Sequence, residues 1–185
     1  LDRLDTLTKD PDVFPDFDET LRVSMGTSLL KLIDDIVWDQ NGDYRDLLTA
    51  DYAFVDRRLA QHYGLANEVP ASEFEKVSMP AEHKRVGLLG SAAFLSLYSH
   101  AKTSSPTLRG LYMRRQIMCD EIPAPPPDVD PTLPEDDPDK PKTTKEKLEA
   151  HMENPSCSSC HGLMDPLGFA LEHFDATGQY RSKYA

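Results

Sequence analysis

No apolar run in this sequence comes near the roughly 20 residues needed to cross a bilayer. The longest apolar-rich stretch, Val86 to Tyr98, is interrupted by Gly87, Gly90, Ser91 and Ser96. No signal peptide is visible either, and the first residue is Leu1. The expectation is a processed or excised piece of a longer precursor, so the missing leader is no argument for the cytoplasm. A basic stripe is lacking too: acidic side chains outnumber basic ones 32 to 20, for a formal net charge of −12. That excludes the phosphate-neutralising surface of a bare nucleic-acid binder, and it suits a chain that repels its own copies or docks a basic partner. No nucleophile elbow, phosphate-cradling glycine loop or zinc-protease helix occurs. The acidic clusters Asp10-Pro11-Asp12 and Glu135-Asp136-Asp137-Pro138-Asp139 lack the central glycine and terminal glutamate of a calcium loop and read as solvated turns. Cysteine is scarce, with three in the chain.

What is present is an ordinary globular balance, 39% hydrophobic and 28% charged, over 185 residues, enough for one good-sized domain or two small ones. Leu21, Met25, Leu29, Ile33 and Ile36 recur at three- and four-residue steps, which predicts an amphipathic helix over 19–38 with Asp18 as N-cap and Asn41-Gly42 as its breaker. A second helix is expected over 56–63, with Phe54, Leu59 and Tyr63 inward and Gly64 just past its end. Residues 68–80 read as a loop or a short extended pair. Helicity is expected again over 86–98. Ser105-Pro106 has the form of a cap followed by an N1 proline, opening a helix with Leu108, Leu111, Tyr112 and Met118 inward. Eight of the 20 residues from Pro123 to Lys142 are proline, which excludes helix and sheet and predicts a polyproline-like strap. Thr143-Thr144-Lys145-Glu146 has capping-box spacing and starts a short helix to about Met152. Asp165-Pro166 is expected to cap a last helix, with Leu167, Leu171 and Phe174 on one face and Gly178 ending it. The fold class is mainly α with little strand, and no internal repeat is present.

Chemistry is carried by Cys157-Ser158-Ser159-Cys160-His161, the spacing of a c-type haem attachment sequence. On a helical turn, positions three and four apart share a face. Two thiols so placed reach the two vinyl groups of one porphyrin edge while the adjacent imidazole reaches the iron, and thioether bonds make the cofactor permanent. One covalent haem c is therefore expected, bound by Cys157, Cys160 and His161, with His161 as proximal iron ligand. Three alternatives stand beside it, one of them a structural accident of spacing. A disulfide or redox dithiol could use the same cysteines, although the βαβ pattern of a thioredoxin-like fold is missing. A zinc site could take Cys157, Cys160 and His161 with Cys119 as fourth ligand, although no second pair at finger spacing supports it.

The iron's sixth position is the open question, because only 24 residues follow His161 and no methionine follows Met164. Met164 lies three positions along, near the face of the proximal ligand, and is a poor candidate for the opposite side of the ring. Upstream candidates are His100, Met118, Met113, Met79, His83 and His151. His100 comes first, because it sits in the polar loop Ser99-His100-Ala101-Lys102 just before a capped helix, and Met118 comes next. Cys119 is expected to be a buried, inert side chain at a helix end. Arg109, Arg114 and Arg115 share one helix and could neutralise haem propionates, but a solvated charged face is the expectation.

Several strings resemble a large bacterial family of unknown function, common in planctomycetes and myxobacteria, whose proteins join helical modules to c-type cytochrome modules. They are 48–55 with 59–64 (Leu-Ala-Gln-His-Tyr-Gly), 85–90 (Arg-Val-Gly-Leu-Leu-Gly), 104–110, 123–129, and Cys157 to His161 continuing through Met164-Asp165-Pro166-Leu167-Gly168-Phe169-Ala170-Leu171-Glu172. The resemblance covers nearly the whole chain. It implies one partial helical module over 1–75 and a haem-bearing module over 76–185, with 123–142 as strap or linker. It also implies a longer parent with upstream modules, often with a further haem motif, and another module after 185.

Taken together, the expected architecture is a helical, cytochrome-c-like haem domain with an N-terminal helical portion and a Pro-rich strap, and the expected place is periplasmic or cell-surface. The expected function is electron transfer, with a redox partner protein or a neighbouring haem as the exchange partner. The alternatives are a haem enzyme with open or weakly ligated, peroxidase-like iron, and a surface or assembly module in which haem stabilises a small core.

Overall fold

The computed structural model describes residues 1–65, 73–123 and 142–183. The expected Pro-rich strap falls almost wholly outside them. About half of the described residues are helical, and one small antiparallel sheet accompanies them. In chain order the helices are α1 (Asp2–Asp5), α2 (Glu19–Asp34), α3 (Asp46–Thr49), α4 (Arg57–His62), α5 (Ala92–Leu97), α6 (Pro106–Tyr112), α7 (Thr144–His151) and α8 (Pro155–Phe169); the strands are β1 (Tyr52–Val55) and β2 (Glu75–Ser78). The chain divides by packing into two units, one of 1–103 closed by Phe174–Arg181 and one built mainly from 104–173.

The first unit follows its local signals. Asp18 accepts from Leu21 N at 2.8 Å and starts α2, and Asp56 does the same for α4 through Leu59 N, each cap contributing about 1 kcal/mol. After Asp34 the helix widens into a π turn over Asp35–Asp39, and Asn41, at φ 48°, stops it. Leu21, Met25 and Leu29 of α2 meet Val55, Leu59 and Tyr63 in one core. β1 pairs with β2 in the register Tyr52↔Ser78 to Val55↔Glu75, so the extended pair expected within 68–80 has its second strand upstream of α4. Between Val86 and Gly90 the expected helix does not form: Gly87 adopts φ +51° and a 3-10 turn covers Leu88–Gly90. Ser91 then caps a shorter α5, accepting from Phe94 N at 3.2 Å.

Arg85, 3% exposed, ties the closing segment to this unit. Its guanidinium lies 3.8 Å from the Tyr63 ring centroid and 4.6 Å from that of Phe174, and it donates to the carbonyls of Gly90 and Gly178. Nearby, His62 Nε2 donates to the Thr177 carbonyl at 2.9 Å. Burial holds His62 below its ordinary value of 6.5, against the pull of that carbonyl and of Asp175. A depressed histidine stays neutral in the folded chain while the unfolded chain takes up a proton, so its contribution is complete above about 6.5 and is lost as pH falls below that. The urea midpoint should therefore drop between pH 7.5 and 5.5. His62→Gln, which can still donate to Thr177, should flatten that slope; an equal slope in the variant would remove His62 as its source.

The second unit is built on α6 and α8. Ser105 caps α6 with Pro106 at its first position, accepting from Leu108 N at 3.3 Å, and a π turn extends it over Met113–Ile117. The inward face is not the expected one. Pro106, Arg109 and Gly110 are buried, whereas Met118 is 52% exposed. A Cβ at Gly110 would lie 1.9 Å from the Met164 carbonyl oxygen, and one at Gly168 would lie 1.9 Å from that of Pro106. Two missing side chains let the backbones cross at contact distance, which leaves the larger side chains of α6 to the flanks of the crossing.

Candidate functional site

The motif lies on a single continuous helix. α8 runs from Pro155 through Phe169 and passes Pro166 without ending, so Asp165-Pro166 does not cap a new helix as expected. Pro166 removes one hydrogen bond to the carbonyl of Gly162, and Gly162 is exposed, where water can satisfy that oxygen. Cys157, His161 and Asp165 therefore follow one another at four-residue steps along α8, with Cys160 and Met164 beside them, three residues after Cys157 and His161. Cys157 and Met164 are buried, each 6% exposed, while Cys160 and His161 are half-buried. All three cysteines are free thiols.

Asp165 organises the stripe. It is fully buried, and its two oxygens have separate partners: Oδ1 accepts from Thr107 Oγ1 of α6 at 2.8 Å, and Oδ2 bonds His161 Nδ1 at 2.9 Å. This bond raises the His161 pKa above 6.5, with burial opposing it. A carboxylate can only accept, so Nδ1 carries the proton and Nε2 is left as the nitrogen with a free lone pair. Metal-binding histidines are prepared this way, with the second nitrogen held by a carboxylate that fixes tautomer and ring orientation.

A second imidazole stands beside the first. His151, the last residue of α7, has its ring centroid 5.0 Å from that of His161 at 72° between planes. α7 is set by the capping box foreseen in the sequence: Thr143 Oγ1 accepts from Glu146 N at 3.2 Å, and the Glu146 carboxylate accepts from Thr143 N at 2.7 Å. Leu148, 3% exposed, anchors α7, which packs on α8.

The remaining sequence candidates are distributed elsewhere. His100 is exposed and belongs to the first unit, where its carbonyl accepts from Lys9 Nζ at 2.9 Å. Met79 is in the core of that unit, and His83 stacks on Tyr180 with centroids 4.9 Å apart. Cys119 is exposed at φ 57°, not buried as expected. Among the described residues, no three His, Cys, Asp or Glu side chains converge as a protein-only metal site. A parallel βαβ arrangement is likewise not present among them.

Of the three arginines, Arg109 departs from the solvated face expected of it, Arg114 is half-buried, and Arg115 is exposed as expected. Arg109 is fully buried, donating to the Leu171 carbonyl at 2.9 Å and facing Glu172 Oε1 at 3.4 Å, while Ser104 Oγ donates to Glu172 Oε2 at 2.9 Å. Arg114 donates to the Leu163 carbonyl at 2.9 Å and pairs with Asp120 at 2.8 Å, and Arg115 donates to the Ile122 carbonyl at 2.6 Å. These side chains hold α6, α8 and the segment after α6 together.

Such an arrangement defines a mainly helical protein whose second unit presents a Cys-x-x-Cys-His helix braced by a buried carboxylate. The chain belongs to the PSCyt3 family of proteins of unknown function (DUF1588), whose model matches residues 85–184. Residues 1–65 match the model of a second family of unknown function, PSD4 (DUF1592). No curated protein and no solved structure matches the chain. No helix among the described residues is long and apolar enough to cross a membrane.

Proposed function

We propose that the second unit is a c-type cytochrome module that carries one covalent haem for electron transfer in a periplasmic or cell-surface protein. The observation that carries this reading is the bond from His161 Nδ1 to the buried Asp165, on the helix that bears both free thiols of the motif. Cys157 and Cys160 would hold the porphyrin by adding across its two vinyl groups. Each S–C bond forms as an S–H bond breaks, and the hydrogen ends on the other vinyl carbon, so no atom is lost and no oxidant is needed. His161 would bind the iron through Nε2. When bound, the haem supplies a one-electron iron couple.

This chain's own residues tune that couple. Asp165 draws the Nδ1 proton toward itself and makes the imidazole a stronger donor, which favours the more positive, oxidised iron. The acidic surface, at net charge −12, suits docking to a basic redox partner, and the cytochrome abbreviation in the family designation agrees with the reading. The zinc alternative is less well supported, since Cys119 would have to be its fourth ligand and lies exposed after α6.

Potentiometric titration of the full chain, produced with haem-ligation machinery, tests this. A reversible one-electron transition with no turnover of peroxide is expected. Asp165→Asn keeps an acceptor for Nδ1 but removes the charge, so the midpoint should rise by tens of millivolts, about 59 mV for each tenfold change in relative affinity for the two iron states. An irreversible couple, or sustained peroxide consumption, would contradict electron transfer. An unchanged midpoint in the variant would remove Asp165 from the tuning.

A further inference from the structure

We infer that the first unit holds a binding site for a neutral sugar ring, in a cleft between the turns of residues 13–17, one face of α4 and the closing segment. The inference is independent of the haem reading, because every residue lining this cleft belongs to the first unit.

Each wall is fixed by its own local geometry. Val13 N and Phe14 N both donate to the Asp10 carbonyl, and Phe17 N donates to that of Phe14. These successive turns bring Phe14 and Phe17, both half-buried, into the lining. On α4, Arg58, Gln61 and His62 stand three and four residues apart and share a face, while Leu59, Ala60 and Tyr63 enter the core. In the closing segment the Asp175 carboxylate accepts from Thr177 N at 2.8 Å, from Gln179 N at 2.9 Å and from the Thr177 hydroxyl at 2.8 Å. The cleft so formed has a volume of about 360 Å³, within the roughly 300–1,000 Å³ of small-molecule sites.

Its chemistry narrows the ligand. Arg58 donates through Nη2 to the Asp16 carbonyl at 2.6 Å and to Asp18 at 3.1 Å. Its Nε and Nη1 hold no acceptor among the described residues, and neither do the exposed carboxamides of Gln61 and Gln179 hold a partner there. Guanidinium and carboxamide are planar groups with paired hydrogen-bonding atoms, and adjacent hydroxyls on a sugar ring present the matching pairs. The Phe14 and Phe17 rings supply the negative faces on which the C–H side of such a ring can lie. An anion is disfavoured. Asp18 already pairs with Arg58, Asp16 adds a further negative charge at the rim, and burial keeps His62 neutral. An apolar ligand would strand two carboxamides and a guanidinium away from water.

Saturation-transfer NMR on the full chain tests the site, with glucose, galactose, mannose and N-acetylglucosamine as probes at millimolar concentration. At least one sugar should receive saturation, and acetate, the anionic probe, should receive none. Gln61→Ala and Gln179→Ala should each weaken the best sugar about three- to tenfold, the equivalent of one net hydrogen bond, with the urea midpoint unchanged. Phe14→Leu, which stays apolar but loses the ring, should weaken it by a similar factor. Equal binding of the methyl glycoside would trace the ligand to the end of a glycan, and its loss would trace it to the free sugar; both support the site. No saturation of any of the four sugars, transfer to acetate alone, or binding untouched by all three variants would overturn it.

Discussion

Replacing Cys157 and Cys160 together by alanine should reduce the haem that survives acid-acetone extraction from one per chain to none. The two thiols lie three residues apart on one unbroken helix, and the thioethers formed on them are the proposed covalent bonds to the cofactor. Either single variant should keep one thioether and an altered haemochrome band. The double variant can still offer His161 to iron, so any haem it binds will be extractable. His161→Ala should have the opposite signature, with haem covalently attached but without a stable low-spin iron. Met164→Leu conserves volume in a buried position and should leave the spectrum unchanged. Haem that resists extraction from the double alanine variant would place the attachment elsewhere.

Arg109→Ala should cost the second unit about 3–5 kcal/mol, the usual consequence of stranding one member of a buried ion pair. The guanidinium is fully buried, its partner Glu172 is 7% exposed, and the Leu171 carbonyl would lose its donor at the same time. Urea unfolding of the full chain, followed by a probe in α8, reads the loss directly. Arg109→Met with Glu172→Leu removes both charges and should recover most of the stability, because the larger penalty lies in the charge left behind. Equal destabilisation by the single and double variants would show that the pair stabilises chiefly through its backbone contact. A loss under 1 kcal/mol in the single variant would contradict the burial of Arg109.

Features set within one turn of helix were legible in the sequence. Asp18, Ser105 and Thr143 cap the helices expected of them, and Asn41-Gly42 and Gly64 stand where helices stop, because capping needs only a side chain and a backbone N–H three residues on. Features set by packing were not. Arg109 looked like one of three cations on a solvated helix face. Its burial follows from Gly110 and Gly168, which bring α6 and α8 so close that the position faces inward. Asp165-Pro166 has the form of a helix start, and that form hid the four-residue spacing from His161 to Asp165, which was the available sign of a braced histidine. The place of His151 against His161 depends on how α7 lies on α8, which no signal within one turn of helix encodes. The Cys-x-x-Cys-His motif was legible in full, and the structure adds the buried carboxylate beneath its histidine.

One haem joined through Cys157 and Cys160 is read out by the intact mass of the denatured full chain. After expression with haem-ligation machinery and export, the expected mass is that of the polypeptide plus one complete haem, since thiol addition to a vinyl group loses no atoms, with the added mass confined to a peptide containing 157–161. A chain at its bare polypeptide mass under those conditions, with both thiols alkylatable, would contradict it.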